Sequence, residues 1–295
     1  MLRRMALFGR KPAEQEVALG NAAADAGDGI TAESHYRRAM MLAPEWSVPL
    51  YNLGLAAKYR SDWSSACEFS RRASDLNPAD EASAWNWGIA ATALGRWDEA
   101  DAAWRRFGIQ VPEGSGPRNW KLGPVPIRLD GQEVVWCTRL DPARARIENV
   151  PLEESGYRYR DVLLHDGAPQ GVRMYGGVEC PVFNALARLE RSPYLTFVAQ
   201  VDPGDDASLR SLEELSSEME IAFEDRSTVR MLCSACSEGN PDRNASHHHD
   251  SQAAQGERRI AFAARDVEAL DTLLNDWARG GSTRGYSFVA PERRE

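Results

Sequence analysis

Lysine is almost missing from this chain: Lys11, Lys58 and Lys121 are three among 35 basic residues. Long apolar runs are missing too. None approaches the ~20 residues that a membrane-spanning helix needs. The early apolar stretch, Met5 to Phe8, is too short for the core of a secretory signal. A cytoplasmic protein with no membrane partner is therefore expected. Five cysteines, Cys67, Cys137, Cys180, Cys233 and Cys236, are an odd number without the spacing of a disulfide framework. Reduced thiols are expected. A phosphate-binding glycine loop of the P-loop or dinucleotide type is also lacking. His165 precedes an Asp-Gly turn with no nucleophile that the sequence can place beside it, and His35 reads as surface. The chain is expected not to be an enzyme. A net charge of −9 and a pI near 5.2 argue against nucleic acid, whose phosphates require a basic surface. The dominance of arginine and alanine suggests a GC-rich bacterial source.

What is present is a period. Pro44, Pro78 and Pro112 lie 34 residues apart, as do Gly20, Gly54 and Gly88, and Ala32, Ala66 and Ala100. A fixed step of that length marks a stacked repeat array. With Ala13, Ser47 and Glu81 as first residues, further columns fall into phase: Leu19/Leu53/Trp87, Ala23/Ala57/Ala91, Tyr36/Ser70/Trp104 and Ala39/Ala73/Phe107. Small residues let two helices approach, and large ones fill the remaining space. Gly27 and Gly95 sit where a left-handed residue ends a helix. Each proline is expected to stop the second helix of its repeat.

The Leu-Gly pairs (Leu19-Gly20, Leu53-Gly54), the alanine opening each second helix and the closing prolines resemble the tetratricopeptide repeat family. The resemblance covers residues 13–114 as three repeats, 13–46, 47–80 and 81–114, after a tail at 1–12. It implies a concave groove lined by first helices and receiving a protein or peptide. The residues placed inward are Val17, Asn21, Tyr51, Asn52, Leu55, Tyr59, Trp85, Asn86 and Ile89. One subclass of the family grips a C-terminal carboxylate with two asparagines and several cations. Asn21 and Asn52 match its asparagines, but Val17, Ala82 and Asn86 stand where its cations would be. A carboxylate pair has little to hold it there.

After the breaker cluster Glu113-Gly-Ser-Gly-Pro117, a linker at 115–123 is expected, and the period changes. Short β-rich runs at 134–140, 146–150, 157–164 and 171–182, with a turn at His165–Pro169 between the last two, predict a small barrel-like module over 124–183. Residues 184–291 predict an α+β module. Its strands are expected at 194–201, 228–233, 259–264 and 285–289, and its helices at 207–217 and from Asp266 to Trp277. That order is the split βαβ, or ferredoxin-like, plan. The expected fold class is thus multidomain: an all-α array, a β-rich module and an α+β module.

Chemistry is concentrated in the loop 233–256. Cys233 and Cys236 are two residues apart, and His247, His248 and His249 follow. Two thiolates with His247 and His249 satisfy the tetrahedral preference of a structural zinc. Unligated thiols beside a solvated histidine loop are the competing reading. Between Asp202 and Asp225 stand nine acidic residues and one basic, Arg210. Such a run is a solvated face or a receptor for cations or a basic partner. The function expected first is a non-enzymatic scaffold or adaptor holding a partner in the groove. A zinc-binding regulator or metal-dependent enzyme, and an inhibitor of a co-encoded bacterial protein, are the alternatives.

Overall fold

The 34-residue columns fold as three helical hairpins. They are α1 (Leu2–Asp25) with α2 (Gly29–Leu42), α3 (Ser47–Tyr59) with α4 (Trp63–Leu76), and α5 (Glu81–Ala93) with α6 (Trp97–Phe107). This computed structural model describes residues 2–130, 133–228 and 257–288. It divides into two units. One contains the residues up to Trp120 together with Asp141–Arg144, and the other contains the remainder. No described helix is long and apolar enough to cross a membrane.

Each hairpin closes on its glycine. A Cβ at Gly20 would lie 2.5 Å from the Tyr36 ring, and one at Gly54 would lie 2.6 Å from Ser70 Oγ. One at Gly88 would collide with the Trp104 ring. Only a residue without a side chain permits these approaches. The turns repeat as well. Gly27, Ser61 and Gly95 hold φ of 79°, 59° and 67°. The next residues, Asp28, Asp62 and Arg96, donate backbone N–H groups to the carbonyls of Ala23, Ala57 and Ala91. This is the six-to-one bond of a Schellman end. Asp28 and Asp62 then cap the following helices by accepting from Thr31 and Ser65 N–H.

Two expectations change here. Residues 2–12, read as a tail, lie within α1, which carries Pro12 inside it. Pro44 and Pro78 each follow a helix end by two residues, but α6 stops earlier, at Phe107. Gly108 (φ 95°) ends it, and Ile109 N–H bonds the Trp104 carbonyl. Pro112 therefore lies beyond the helix. The segment that follows returns to α6, where Arg118 Nη2 donates to both carboxylate oxygens of Asp101 at 2.6 and 2.5 Å.

In the second unit, β1 (Pro124–Arg128), β2 (Val134–Arg139), β3 (Arg144–Ile147), β4 (Val162–Tyr175) and β5 (Val178–Glu190) close into a barrel in that order. A parallel pairing of Ile127 with Phe183 joins its ends. Val125, Ile127, Val135, Cys137, Ile147 and Leu163 fill it. Burial raises the Cys137 thiol pKa well above its usual value, consistent with a packing role. The turn expected at His165–Pro169 lies inside β4. Bulges between His165 and Val172 absorb its glycine and proline residues. The hairpin turns instead at Gly176-Gly177, with φ of 55° and 83°, the combination that a two-residue turn requires. Because β5 runs to Glu190, the barrel continues past the expected limit at 183.

The remaining strands are β6 (Leu195–Asp202), β7 (Ala222–Asp225), β8 (Arg258–Ala264) and β9 (Gly285–Phe288). They form a sheet in the order β7-β8-β6-β9 with antiparallel pairings. Helices α7 (Asp206–Glu218) and α8 (Val267–Arg279) connect them. The strand expected at 228–233 falls, beyond residue 228, outside the described residues, and β7 lies in the acidic run. Phe223 pairs with Phe262 there, and Glu224 has a specific use. Along β8, Ile260, Phe262 and Ala264 enter the core with Leu270, Leu273, Leu274 and Trp277 of α8. Ala261 and Ala263 point the other way, onto Val150. The irregular stretch at 150–152 has its backbone groups satisfied by side chains. Glu224 accepts from Val150 N–H, Arg226 donates to the Val150 and Pro151 carbonyls, and Glu133 accepts from Leu152 N–H. Burial raises both carboxyl pKa values.

His165 is fully buried in the barrel. Its Nδ1 lies 2.7 Å from the Asp166 carbonyl, and Nε2 has no hydrogen-bond partner among the described residues. Burial first, and the Arg139 charge second, push its pKa from 6.5 down to about 4.

Gly88→Ala is expected to cost ~1–3 kcal/mol by overpacking. Gly29→Ala, which meets nothing within 4 Å, should stay within ~0.5 kcal/mol; urea unfolding of both variants checks the contrast. A histidine whose folded pKa is depressed binds its proton more readily in the unfolded chain. Its effect on stability is therefore constant above pH 6.5 and turns unfavourable as the pH falls toward 4. The stability of the wild type relative to His165→Leu should fall across that window, and a gap independent of pH would refute the assignment.

Candidate functional site

The first helices bring three of the expected inward residues to one cleft of ≈ 630 Å³. α1 supplies Asn21, and the first two turns of α3 supply Ser47, Val48, Tyr51 and Asn52. The loop before α5 closes it with Asn77, Ala79 and Asp80, and Ala82 opens α5. Ser47/Tyr51 and Val48/Asn52 are i, i+4 pairs, so one face of α3 presents all four.

The asparagines are held in place. Tyr36 OH donates to Asn21 Oδ1 at 2.9 Å, and Asn52 Nδ2 approaches the same oxygen at 3.3 Å. Burial, with a smaller contribution from Asp25, raises the Tyr36 pKa. The phenol therefore stays protonated and acts as donor. These bonds engage the Asn21 oxygen and one Asn52 N–H; the chemistry that an amide has besides is the Asn21 NH2 as donor and the Asn52 oxygen as acceptor. Tyr36 is the same ring that packs on Gly20. The contact that closes the first hairpin thus also orients the first amide of the cleft.

Asp80 is the charged member of the lining, and it is already occupied in part. Oδ1 accepts from Ala82 N–H at 3.2 Å, and Oδ2 accepts from the Ser83 hydroxyl. No lining residue of this cleft carries positive charge. The nearby Lys58 is buried, with Nζ donating to Asn86 Oδ1 at 3.1 Å.

The other expected residues have different surroundings. Leu55 is half-buried and Tyr59 is 63% exposed, but neither lines the cleft. Val17 is buried in a cluster with Ala13 and Ala39. Asn86 is buried by its bond to Lys58, and Ile89 is wholly buried. These three correct the expected groove, because a buried side chain offers a partner no surface. For Asn86 and Ile89 the reason lies in α5. It packs between α4 and α6 and is buried from Ser83 to Thr92 except at Trp85. Trp85 is itself half-buried, with its ring 5.2 Å from Trp104 and 4.7 Å from Phe107. Asn77 and Asp80 belong to the cleft although neither was expected. Their only signal in the sequence is their place beside Pro78, in the turn that faces α3.

Cys233, Cys236, His247 and His249 lie outside the described residues. Among the described residues, no group of three or more His, Cys, Asp or Glu side chains is placed to hold a metal ion.

No protein-family model matches the chain, and no curated protein matches it. Several solved structures resemble about a third of it. The tetratricopeptide domain of Arabidopsis OM64 matches 34% of this chain and 82% of its own, at 21% identity and a TM-score of 0.32. The second such domain of Spaghetti (RPAP3), solved with the HSP90 peptide SRMEEVD, matches 32% and 88%, at 21% identity and 0.31. A Thermobaculum terrenum O-GlcNAc transferase mutant matches 34% of this chain but 19% of its own, at 22% identity and 0.31. The helical third of the chain is a tetratricopeptide-type array, as its period and its three closed hairpins show.

Proposed function

We propose that the helical array is a docking module that takes an extended segment of a partner protein across Asn21, Tyr51 and Asn52. The observation that carries this reading is the pair of oriented amides beside a half-buried tyrosine in an open cleft. An asparagine can donate to and accept from one peptide unit at once. A tyrosine supplies contact area at low entropic cost. The cleft has no lining cation, which favours an internal segment over a C-terminal carboxylate.

On this reading the chain divides into repeats at 13–46, 47–80 and 81–114, a linker at 115–123, and two modules behind it. We read the four-stranded sheet as ferredoxin-like, because the order β9-β6-β8-β7 is that of a split βαβ unit. The β-rich and α+β modules then present a second surface, and neither contributes chemistry to the groove.

Panning of a displayed peptide library on the full-length protein tests the docking role. Wild type should enrich a common segment. Tyr51→Ala combined with Asn52→Ala should weaken binding of that segment by about tenfold or more while leaving thermal unfolding nearly unchanged. Absence of enrichment, or equal binding by the double variant, would rule out the cleft as the docking site. Ile89→Ala should behave in the opposite way, losing ~2–5 kcal/mol of stability as a core truncation.

A further inference from the structure

The second unit contains a cavity of ≈ 570 Å³ where its barrel meets its sheet. That volume suits a small molecule. Tyr159 and Tyr194 form one wall, with ring centroids 5.1 Å apart and planes at 86°. Arg160 lies 4.8 Å over the Tyr159 ring, and its Nη1 binds Glu148 at 2.6 Å. This guanidinium is committed to the protein itself. The opposite wall is α7, which presents Glu213 and Ser217, with Glu220 just past its end, at i, i+4 and i+7. Arg265 sits 5.6 Å over Tyr194. It pairs with the Glu220 carboxylate at 3.9 Å, and the two side chains are 64% and 79% exposed. A pair that long and that wet holds weakly and is open to exchange.

The backbone marks the same place. Eleven glycines take positive φ in the described chain, and four other residues do so. Two of those four, Arg160 (φ 70°) and Glu220 (φ 56°), border this cavity. Glu220 occupies the position after α7 that glycine usually fills, with Ile221 N–H bonded back to the Ser216 carbonyl. Glycine would be easier at both sites. The sequence has long charged side chains there instead, and both reach the cavity rim.

Among the lining residues, the exchangeable groups are the Arg265 cation and two carboxylates, Glu213 and Glu220, with the Ser217 hydroxyl between them. The C-terminal end of α7 adds negative potential on the same side. A ligand that neutralises this set carries one carboxylate and two cationic groups, with an alkyl stem to lie along the tyrosine rings. We propose that the cavity binds a free basic amino acid. Arg265 takes its carboxylate, and Glu213, Ser217 and Glu220 take its ammonium and side-chain cation.

Titration calorimetry of the full-length protein with L-arginine and L-lysine at fixed ionic strength tests this, with L-glutamate and L-leucine as comparators. Saturable heat is expected for a basic amino acid and not for the comparators. Glu213→Gln and Arg265→Gln, both at exposed positions, should each weaken binding by about tenfold or more, with circular dichroism unchanged. The proposal is overturned by the absence of heat with both basic amino acids, by equal binding of glutamate or leucine, or by affinity that survives both substitutions.

Discussion

The helical array depends on three places where two helices approach more closely than a side chain allows. Gly20 meets Tyr36, Gly54 meets Ser70, and Gly88 meets Trp104. The partner residue differs each time, so the glycine is the fixed half of the contact and the partner fills whatever space its hairpin leaves. The first of these contacts also reaches the cleft. The ring that rests on Gly20 carries the hydroxyl that orients Asn21. One residue there thus both closes the hairpin and holds a cleft side chain.

The second unit is organised by a strand whose two faces do different work. β8 sends Ile260 and Phe262 into a core with α8, while Ala261 and Ala263 keep the other face thin enough for Val150 to pack on it. The backbone that meets this thin face has no ladder partner of its own. Glu224, Arg226 and Glu133 satisfy it with side chains. Leaving a buried amide or carbonyl unpaired is costly enough to draw these charged groups out of water. Acidic residues that read as a solvated run therefore include one, Glu224, that is half-buried and structural.

Periodicity makes the array legible in the sequence. The columns at 34 residues locate six helices, their turns and the closing contacts, because each repeat solves the same local packing problem. The cleft is legible in part. Of the residues read as inward, Asn21, Tyr51 and Asn52 line it, whereas Val17, Asn86 and Ile89 are buried. The register of a repeat says which face of a helix points inward. It does not say how deeply the neighbouring helices cover that face. Nearly all of α5 is covered, and that of α3 is not. The barrel's hairpin is misplaced in the sequence reading for a related reason. Gly167 and Pro169 look like a turn in isolation, but a strand paired along its length can absorb them as bulges.

By itself, then, the sequence determined the repeat length, the helix pairs, the glycine contacts and the absence of cations along the groove. These are properties of residue type and spacing, and they survive any arrangement of the hairpins. Tertiary structure decided which inward residues stay accessible, which carboxylates become partners of backbone, and that Tyr159, Tyr194, Glu213 and Arg265 share one cavity. Those outcomes depend on contacts between segments far apart in the chain, and no local pattern encodes how closely such segments will pack.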